Sequence, residues 1–313
     1  MVDSANFILN MYTIAIHGGA GTISKASMTP EKEKAYKRAL EESLEAGFEI
    51  LQRGGTALDA VEVAVVSLED SPLFNAGKGS VFTAEGRHEM DAAIMAGDTK
   101  SAGAVAGVKN IRNPIQLARA VMERSKFVML AGEGAEEFAR EQNIDFEGDE
   151  YFFSQERYEQ LQEALEGNEM VLDHHESKKF GTVGAVALDQ YGNVAAATST
   201  GGLTNKKYGR IGDSPIIGAG TYANNQSCAV SCTGVGEYFI KAVAAFDVAM
   251  LMMYKGLELT EACETVVFDK LKKVGGEGGL IAVDTKGNIA MVFNSEGMYR
   301  ASRKKGEEAV VEI

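Results

Sequence analysis

Residues 181–200 read GTVGAVALDQYGNVAAATST, and this stretch decides the fold. Two apolar runs, residues 183–189 and 194–200, flank a turn sequence, QYGN, at residues 190–193. This pattern predicts a strand, a tight turn and a second strand. The small alanine and glycine side chains of both runs allow close packing, so we expect the hairpin to lie inside the protein.

A second hairpin of the same kind is predicted near the C-terminus. Two apolar runs, residues 280–284 and 289–292, flank a turn at residues 286–288, and we expect the two hairpins to be neighbours in one sheet. Strands that are apolar along nearly their whole length are covered on both faces, and helices can supply the outer layers. The sequence therefore predicts an α+β fold, a four-layer αββα sandwich of two stacked, mainly antiparallel sheets.

Helix signals indicate where the outer layers come from. Thr29 is expected to cap a first helix, and Thr56 with Asp59 forms a capping-box pattern before a second. Two further long helices are predicted at residues 237–254 and 260–273. These four helices would cover the faces of the sheets.

Composition limits the classes of function. The 313-residue chain has a formal net charge of -14 and a pI near 4.9. Binding to nucleic acid or to anionic membranes depends on clustered Lys and Arg, so we expect neither partner. No run of about 18 apolar residues predicts a membrane span, and residues 1–10 lack the features of a signal peptide. We expect a cytoplasmic protein in which residues 1–10 are a loose extension or precede an alternative start at Met11.

The three cysteines are Cys228, Cys232 and Cys263. Their odd number and their spacing match no paired-ligand pattern, so we interpret them as reduced residues that pack in the interior. A disulfide bridge or a zinc site stays open as an alternative.

A charged segment precedes the first hairpin. Residues 154–180 are rich in Glu, Gln, Lys and His, which predicts a partly helical, mobile linker. Self-cleavage at the Gly181-Thr182 step would leave Thr182 as a new N-terminus. Its free α-amine, with a pKa of about 7.7 to 8.0, would then act as general base for its own hydroxyl. Since the chain holds 35 glycines, an ordinary Gly-Thr pair in a strand is the alternative.

Three other patterns have chemical interest. Arg210 and Asp213 lie on a glycine-containing turn, where they would present opposite charges to an amino acid or form a surface ion pair. The Thr233-Gly234 pair would suit an oxyanion hole, or it would be a plain strand-to-helix turn. The glycine turn at residues 17–22 lacks both GxGxxG and the Lys-Ser/Thr ending, so nucleotide binding is disfavoured.

Six motifs identify a family that the chain resembles. They occur in one order along the chain: Ile16-His17-Gly18-Gly19-Ala20-Gly21, Phe74-Asn75-Ala76-Gly77, Gly181-Thr182-Val183-Gly184-Ala185-Val186-Ala187, Thr200-Gly201-Gly202, Arg210-Ile211-Gly212-Asp213-Ser214-Pro215 and Phe293-Asn294-Ser295-Glu296-Gly297-Met298-Tyr299-Arg300. With these motifs the chain resembles the isoaspartyl peptidase/L-asparaginase family over nearly everything from Tyr12 to Arg300. The members of that family are plant-type asparaginases, which are N-terminal nucleophile hydrolases with an αββα fold.

The resemblance implies roles for individual residues. It implies self-cleavage between Gly181 and Thr182, with Thr182 as the nucleophile. The other implied catalytic residues are Thr200, which supports the nucleophile, and Thr233 and Gly234, which form the oxyanion hole. The implied substrate-binding residues are Arg210 for the α-carboxylate, Asp213 for the α-amine, and Gly236 and Asn75, which shape the pocket.

The resemblance also implies the reaction and the assembly. The substrates would be L-asparagine and β-aspartyl dipeptides, hydrolysed through a threonine acyl-enzyme. Residues 1–181, with the linker at about 154–180, would form an α subunit and residues 182–313 a β subunit. Together the subunits would make one structural domain, and two such units would associate as (αβ)2. No cofactor is implied for catalysis, but a structural sodium ion would be bound through the backbone carbonyls of Leu68, Glu69, Ser71, Phe74, Ala76 and Lys78.

Some features differ from the family's usual pattern. Leu203 stands where methionine is frequent, and Val235 lies beside the implied oxyanion residues. The preference between asparagine and isoaspartyl peptides therefore stays open. Residues 121–125 resemble a potassium-binding loop of some plant members, and potassium dependence stays open as well.

Two alternative functions remain at this point. A glycosylasparaginase-type amidase shares the motif at residues 210–215, but Gly181 in place of a common Asp and the lack of a signal peptide disfavour it. The other alternative is an uncleaved, non-catalytic protein that binds amino acids or acts as a scaffold. In that case Arg210 and Asp213 would form a salt bridge.

Overall fold

The computed structural model describes residues 11–21, 28–167 and 181–313. The expected extension at residues 1–10 and the last part of the predicted linker, residues 168–180, lie outside these ranges. No helix within the described ranges is long and apolar enough to cross a membrane.

The strands form two sheets. In chain order they are β1 (Thr13–Gly21), β2 (Met90–Ala96), β3 (Ala102–Val108), β4 (Met129–Ala131), β5 (Val183–Leu188), β6 (Val194–Thr200), β7 (Thr221–Ala223), β8 (Cys228–Gly234), β9 (Gly278–Asp284), β10 (Ile289–Phe293), β11 (Gly297–Lys304) and β12 (Val310–Glu312). The large sheet has the order β12-β11-β1-β5-β6-β2-β3-β4 and the small sheet the order β10-β9-β8-β7. Only the β3–β4 pair is parallel among these described strands, so the prediction of mainly antiparallel sheets is confirmed.

The two predicted hairpins form as expected, but they are not neighbours. β5 and β6 lie in the centre of the large sheet, whereas β9 and β10 lie in the small sheet. The prediction of one shared sheet was wrong because an apolar run reports burial on both faces and not the identity of the neighbouring strand. β5 shows this directly, since Val183 and Ala185 face one core cluster and Val186 and Leu188 face the other.

Helices cover the outer faces of both sheets. In chain order, the helices of the described residues are α1 (Pro30–Gln52), α2 (Ala57–Glu69), α3 (Pro114–Arg124), α4 (Gly132–Glu141), α5 (Asp149–Phe152), α6 (Gln155–Glu166), α7 (Gly236–Ala242), α8 (Ala244–Lys255) and α9 (Leu259–Glu264). α1, α2 and α3 pack on the large sheet, α8 and α9 pack on the small sheet, and the two sheets contact each other between these layers. The predicted αββα sandwich is therefore confirmed.

Both predicted helix caps are present. The Thr29 side chain accepts a hydrogen bond from the Lys32 N–H at 3.3 Å, at the start of α1. The Thr56 side chain accepts one from the Asp59 N–H at 3.1 Å, at the start of α2. Each cap satisfies a backbone donor that has no partner inside its own helix.

The two helices predicted in the C-terminal part are interrupted. The first breaks at Val243, which has a φ of 49° and separates α7 from α8. After the break, the N–H groups of Ala245 and Phe246 donate to the carbonyls of Ala219 and Gly218 at 3.1 and 2.8 Å. The second helix continues from α9 as a π-helical segment, Thr265–Leu271, and a short 3-10 turn, Lys272–Val274. Apolar periodicity did not indicate the break at Val243, since the backbone after this residue is bonded to a distant loop.

The first part of the predicted linker is a packed helix. α6 begins after its cap Ser154, whose hydroxyl accepts from the Arg157 N–H at 3.3 Å. The Arg157 side chain is buried, and its Nε donates to the carbonyl of Gly79 at 2.9 Å. α6 is therefore attached to the loop that follows α2.

The large core cluster generates a stability prediction. Leu44 of α1 is fully buried in this cluster, so Leu44→Ala should lower the free energy of unfolding by about 2 to 5 kcal/mol. Leu165→Ala, at a helical leucine that is 44% exposed, should change it by about 0.5 kcal/mol or less. Urea unfolding of both variants measures the difference. Equal losses would contradict the layer assignment of α1.

Candidate active site

The site is centred on Thr182, the residue immediately before β5. β5 is paired with β1 on one side and with β6 on the other, so Thr182 lies in the middle of the large sheet and is buried. Its Oγ1 donates a hydrogen bond to the Oγ1 of Thr200 at 3.1 Å. It also lies 3.3 Å from the Oγ of Ser214. The structure thus brings the predicted pair together and adds a third hydroxyl that the sequence did not indicate.

Asn75 holds the loop that follows Thr200. Its side-chain Nδ2 donates to the carbonyl of Gly202 at 2.8 Å, and its Oδ1 accepts from the Val81 N–H at 3.1 Å. Thr200 itself accepts from the Gly202 N–H at 3.0 Å. The hydroxyl nearest to Thr182 is therefore fixed through a short chain of polar contacts.

Thr233 lies against the residue that precedes Thr182. A Cβ added to Gly181 would be 2.7 Å from the Oγ1 of Thr233, which shows how close the two residues are. The same Oγ1 accepts from the Ala20 N–H at 3.2 Å. The stretch around Ala20, predicted as a glycine turn, is instead part of β1, which has a register shift between His17 and Gly19.

Gly234 follows as the last residue of β8 and pairs with Gly278 of β9. The next N–H, that of Val235, donates to the carbonyl of Glu277 at 3.0 Å. The Thr233-Gly234 pair therefore lies at the end of a strand directly before α7. The pair is thus at a strand-to-helix turn, and this position is compatible with the oxyanion-hole interpretation as well.

Arg210 has an acidic partner, Glu237, that local sequence patterns do not indicate. Its Nε and Nη2 donate to the two carboxylate oxygens of Glu237, each at 2.9 Å. This bidentate pair holds the guanidinium, whose side chain is only 14% exposed, and lowers the pKa of Glu237. Glu237 is 27 residues away from Arg210 along the chain, so no local spacing could have indicated the contact.

Asp213 is the second charged group of the site. It is 3% exposed, and its Oδ2 has no hydrogen-bond partner among the described residues. Burial raises the pKa of Asp213 to about 7, against the opposing effects of its own backbone N–H and of Arg210. A Cβ added to Gly236 would be 2.9 Å from Arg210 Nη2 and 2.9 Å from Asp213 Oδ1. The two opposite charges therefore flank a residue that has no side chain.

The residues expected to bind sodium lie together on the loop that follows α2. This loop runs from the last turn of α2 to a 3-10 turn at Gly77–Gly79 and carries Leu68, Glu69, Ser71, Phe74, Ala76 and Lys78. The described residues contain no group of three His, Cys, Asp or Glu side chains that could hold a metal ion. A metal at this loop would thus depend on backbone oxygens.

The cysteines take no part in the site. All three are free and buried, and they belong to the core cluster that includes the small sheet and the helices packed on it. The interpretation of reduced packing residues is confirmed.

Comparison with known proteins gives the same result along nearly the whole chain. A family model described as asparaginase matches residues 10–313. The chain is 57% identical to an isoaspartyl peptidase of Salmonella typhimurium over 298 residues, which cover 94% of this chain and 95% of the relative. It is 57% identical to an isoaspartyl peptidase of Escherichia coli, with 92% and 91% covered.

An archaeal relative extends the match. The chain is 44% identical to a plant-type L-asparaginase of Pyrococcus abyssi, with 95% of this chain and 97% of the relative covered. The family resemblance inferred from the six motifs is confirmed by these matches. Since the family model covers residues 10–313, the chain belongs to the asparaginase family.

Proposed function

We propose that this protein is a self-cleaving hydrolase that acts on the side-chain amide of L-asparagine and on the isopeptide bond of β-aspartyl dipeptides. The observation that carries the proposal is the buried Thr182 hydroxyl, which donates to Thr200 at 3.1 Å. The residue before it, Gly181, lies against Thr233. The names of the relatives, isoaspartyl peptidase and plant-type L-asparaginase, agree with these two substrates.

The first reaction is cleavage of the chain. The Thr182 hydroxyl attacks the carbonyl carbon of Gly181, so that the Oγ1–C bond forms and the C–N bond to Thr182 breaks. The hydroxyl proton ends on the released nitrogen. Water then hydrolyses the ester to the Gly181 carboxylate and restores the hydroxyl. The new α-amine of Thr182 becomes the general base for later turnovers.

The charged groups of the site suit the substrate's amino-acid end. Arg210 would bind the α-carboxylate, because Glu237 engages its Nε and Nη2 and leaves Nη1 for the substrate. Asp213 would bind the α-amine through its buried Oδ2. Gly236 keeps the space between the two charges open.

Turnover would use the same hydroxyl. Thr182 attacks the β-carbonyl of the substrate, ammonia or an amine leaves, and water opens the β-aspartyl ester to aspartate. Thr233 and Gly234 would stabilise the oxyanion, and one such donor is worth about 3 to 4 kcal/mol. Since Thr233 accepts from the Ala20 N–H, its own hydroxyl proton remains for that donation.

The strand order supports association of the two fragments after cleavage. β1 and β2 come from before Thr182, and β5 and β6 come from after it, yet β5 and β6 lie between β1 and β2 in one sheet. We propose that residues 1–181 and 182–313 stay together noncovalently and that two such units form (αβ)2. We also propose a cytoplasmic location, which the three free, buried cysteines support.

We propose in addition a structural sodium ion on the loop that follows α2. The carbonyls of Leu68, Phe74 and Ala76 each accept a backbone N–H, at 3.3, 2.9 and 3.1 Å. A carbonyl oxygen has two lone pairs, so those of Phe74 and Ala76 each retain one that fits a hard cation. With Glu69, Ser71 and Lys78, these residues would hold the ion and fix the loop that carries Asn75.

Removal of the nucleophile tests the proposal. Thr182→Ala should remain a single chain and should not hydrolyse β-aspartyl dipeptides, because both reactions use Oγ1. Thr182→Ser, which keeps the hydroxyl, should still cleave. Intact mass followed over hours, with N-terminal sequencing of any fragment, measures cleavage, and aspartate release measures turnover. Normal turnover by Thr182→Ala would refute the mechanism.

A second prediction concerns Arg210. Arg210→Ala should still cleave itself but should raise KM for β-aspartyl dipeptides by about 10- to 100-fold, since it loses a charged hydrogen-bond partner of the substrate. Arg38→Ala is the matched control, because Arg38 also pairs with a glutamate, at 2.7 Å, but is 77% exposed. Steady-state kinetics separate the two, and an unchanged KM in Arg210→Ala would show that the residue does not bind substrate.

A third prediction follows from the pKa of Asp213, which burial raises to about 7. A carboxyl group is charged above its pKa, so the attraction for the α-ammonium should be lost as the pH falls through 7. KM should rise about fivefold between pH 7 and pH 6 for a single titrating group. Asp213→Asn should show a high KM that does not change over this range. A flat KM profile in the unaltered protein would contradict the role of Asp213.

A further inference from the structure

A chain of polar side chains runs between the two sheets beneath Thr182. Its members come from four strands: His17 from β1, Thr198 from β6, Thr221 from β7 and Ser231 from β8. All four residues are fully buried. None of them has a role in the reactions described above.

The contacts along this chain are short and continuous. The Nε2 of His17 lies 3.0 Å from the Oγ of Ser231, which lies 2.7 Å from the Oγ1 of Thr198. The Thr221 hydroxyl donates to the backbone carbonyl of Ser214 at 3.0 Å, and its Oγ1 lies 2.6 Å from the Oγ1 of Thr198. The chain therefore connects His17 to the backbone of Ser214, whose hydroxyl contacts Thr182.

A glycine in the large sheet leaves the space that this chain of polar side chains occupies. Gly184 of β5 lies between β1 and β6, and a Cβ added to it would be 2.0 Å from Ser231 Oγ and 2.6 Å from His17 Nε2. Any larger residue would displace the contact between the two side chains. Position 184 therefore requires glycine because a side chain there would collide with the polar chain, and not only because of strand pairing.

This chain of polar side chains is also uncharged. Burial lowers the pKa of His17 to about 3, against the opposing effect of the Thr182 backbone carbonyl, so the ring is neutral at physiological pH. A buried network of neutral groups carries no ionic desolvation cost, and the hydroxyls that are paired in it are held in fixed positions. Such a network can fix geometry without changing the electrostatics of the site.

At its other end, the chain of polar side chains leads through Ser214 to the Oγ1 of Thr182. Thr182 donates its single hydroxyl proton to Thr200, so the Ser214 hydroxyl supplies the proton for its 3.3 Å contact with Thr182 Oγ1. Two neighbours, one acceptor and one donor, therefore define how the Thr182 oxygen is oriented. Thr221 holds the residue that provides the second of them.

We propose that Ser214 orients the Thr182 hydroxyl, and that Thr221, at the end of the chain from His17, holds Ser214 in place as a positioning residue. This inference rests on the proposed function, since it assigns a role within the same site. Because chain cleavage and substrate hydrolysis share Thr182 Oγ1, loss of this positioning should slow both reactions together.

The test uses two substitutions of Thr221 with opposite properties. Thr221→Val keeps the shape but removes the hydroxyl, and it should slow self-cleavage and lower kcat by about tenfold each, the effect of one net hydrogen bond. KM should stay within about twofold, since Arg210 and Asp213 are retained. Thr221→Ser keeps the hydroxyl and should behave like the unaltered protein. A role in packing alone predicts the reverse order of the two variants.

A double-mutant cycle locates the effect. If Thr221 acts through Ser214, then Ser214→Ala combined with Thr221→Val should be no slower than Ser214→Ala alone. Thr13→Val is the matched control, because Thr13 is a fully buried strand residue whose hydroxyl has no partner among the described residues. It should leave both rates unchanged. Ser231→Ala, farther along the chain, provides a second variant if Thr221→Val unfolds on heating at a much lower temperature.

The outcomes separate this inference from the proposed function. Unaltered rates in Thr221→Val or in Ser231→Ala, or a loss confined to KM, would overturn the positioning role while the hydrolase proposal stands. Additive losses in the double variant would overturn it as well. An unaltered protein that neither cleaves itself nor hydrolyses β-aspartyl dipeptides would overturn the proposed function, and this inference with it.

Discussion

Backbone pairing on both edges of β5 is the constraint on which the site depends. β5 begins next to Thr182 and is antiparallel to β1 on one side and to β6 on the other. β1 precedes the Gly181-Thr182 step in the chain, and β6 follows it. Ladder hydrogen bonds therefore hold the two halves in register without help from the peptide bond between them. Cleavage at that bond would remove no ladder contact of β5, and the new N-terminus would remain where the sheet holds it.

Burial also constrains the two charged groups of the site, Arg210 and Asp213. Arg210 is paired with Glu237, so its charge is compensated before any substrate binds. The Oδ2 of Asp213 has no such partner in the described part of the protein, and burial raises the pKa of Asp213 to about 7. A buried carboxyl group that lacks a cation favours a ligand that brings one. The proposed amino-acid substrate would supply an ammonium for Asp213 and a carboxylate for Arg210, two residues that face the same glycine, Gly236.

The space between the sheets combines apolar and polar contacts. Val186 and Leu188 of β5 contribute to the apolar cluster on this side, whereas Thr198 and Ser231 form hydrogen bonds through the gap that Gly184 leaves. Apolar packing holds the layers together and does not select one precise orientation. The paired hydroxyls are directional, and this property suits a region directly beneath the residue whose orientation matters most.

The sequence by itself determined the local elements and the central residue of the site. Strand and turn residues gave the hairpin after Thr182, capping residues gave α1 and α2, and family motifs indicated Thr182 together with Arg210 and Asp213, because all of these signals are local in the chain. Tertiary structure alone decided that the two apolar hairpins belong to different sheets, that Glu237 holds Arg210, and that Ser214 contacts Thr182. These contacts join residues that are far apart in sequence, and they form only when particular faces of particular strands pack together. Local periodicity reports that a face is buried, but it does not report what the face is buried against.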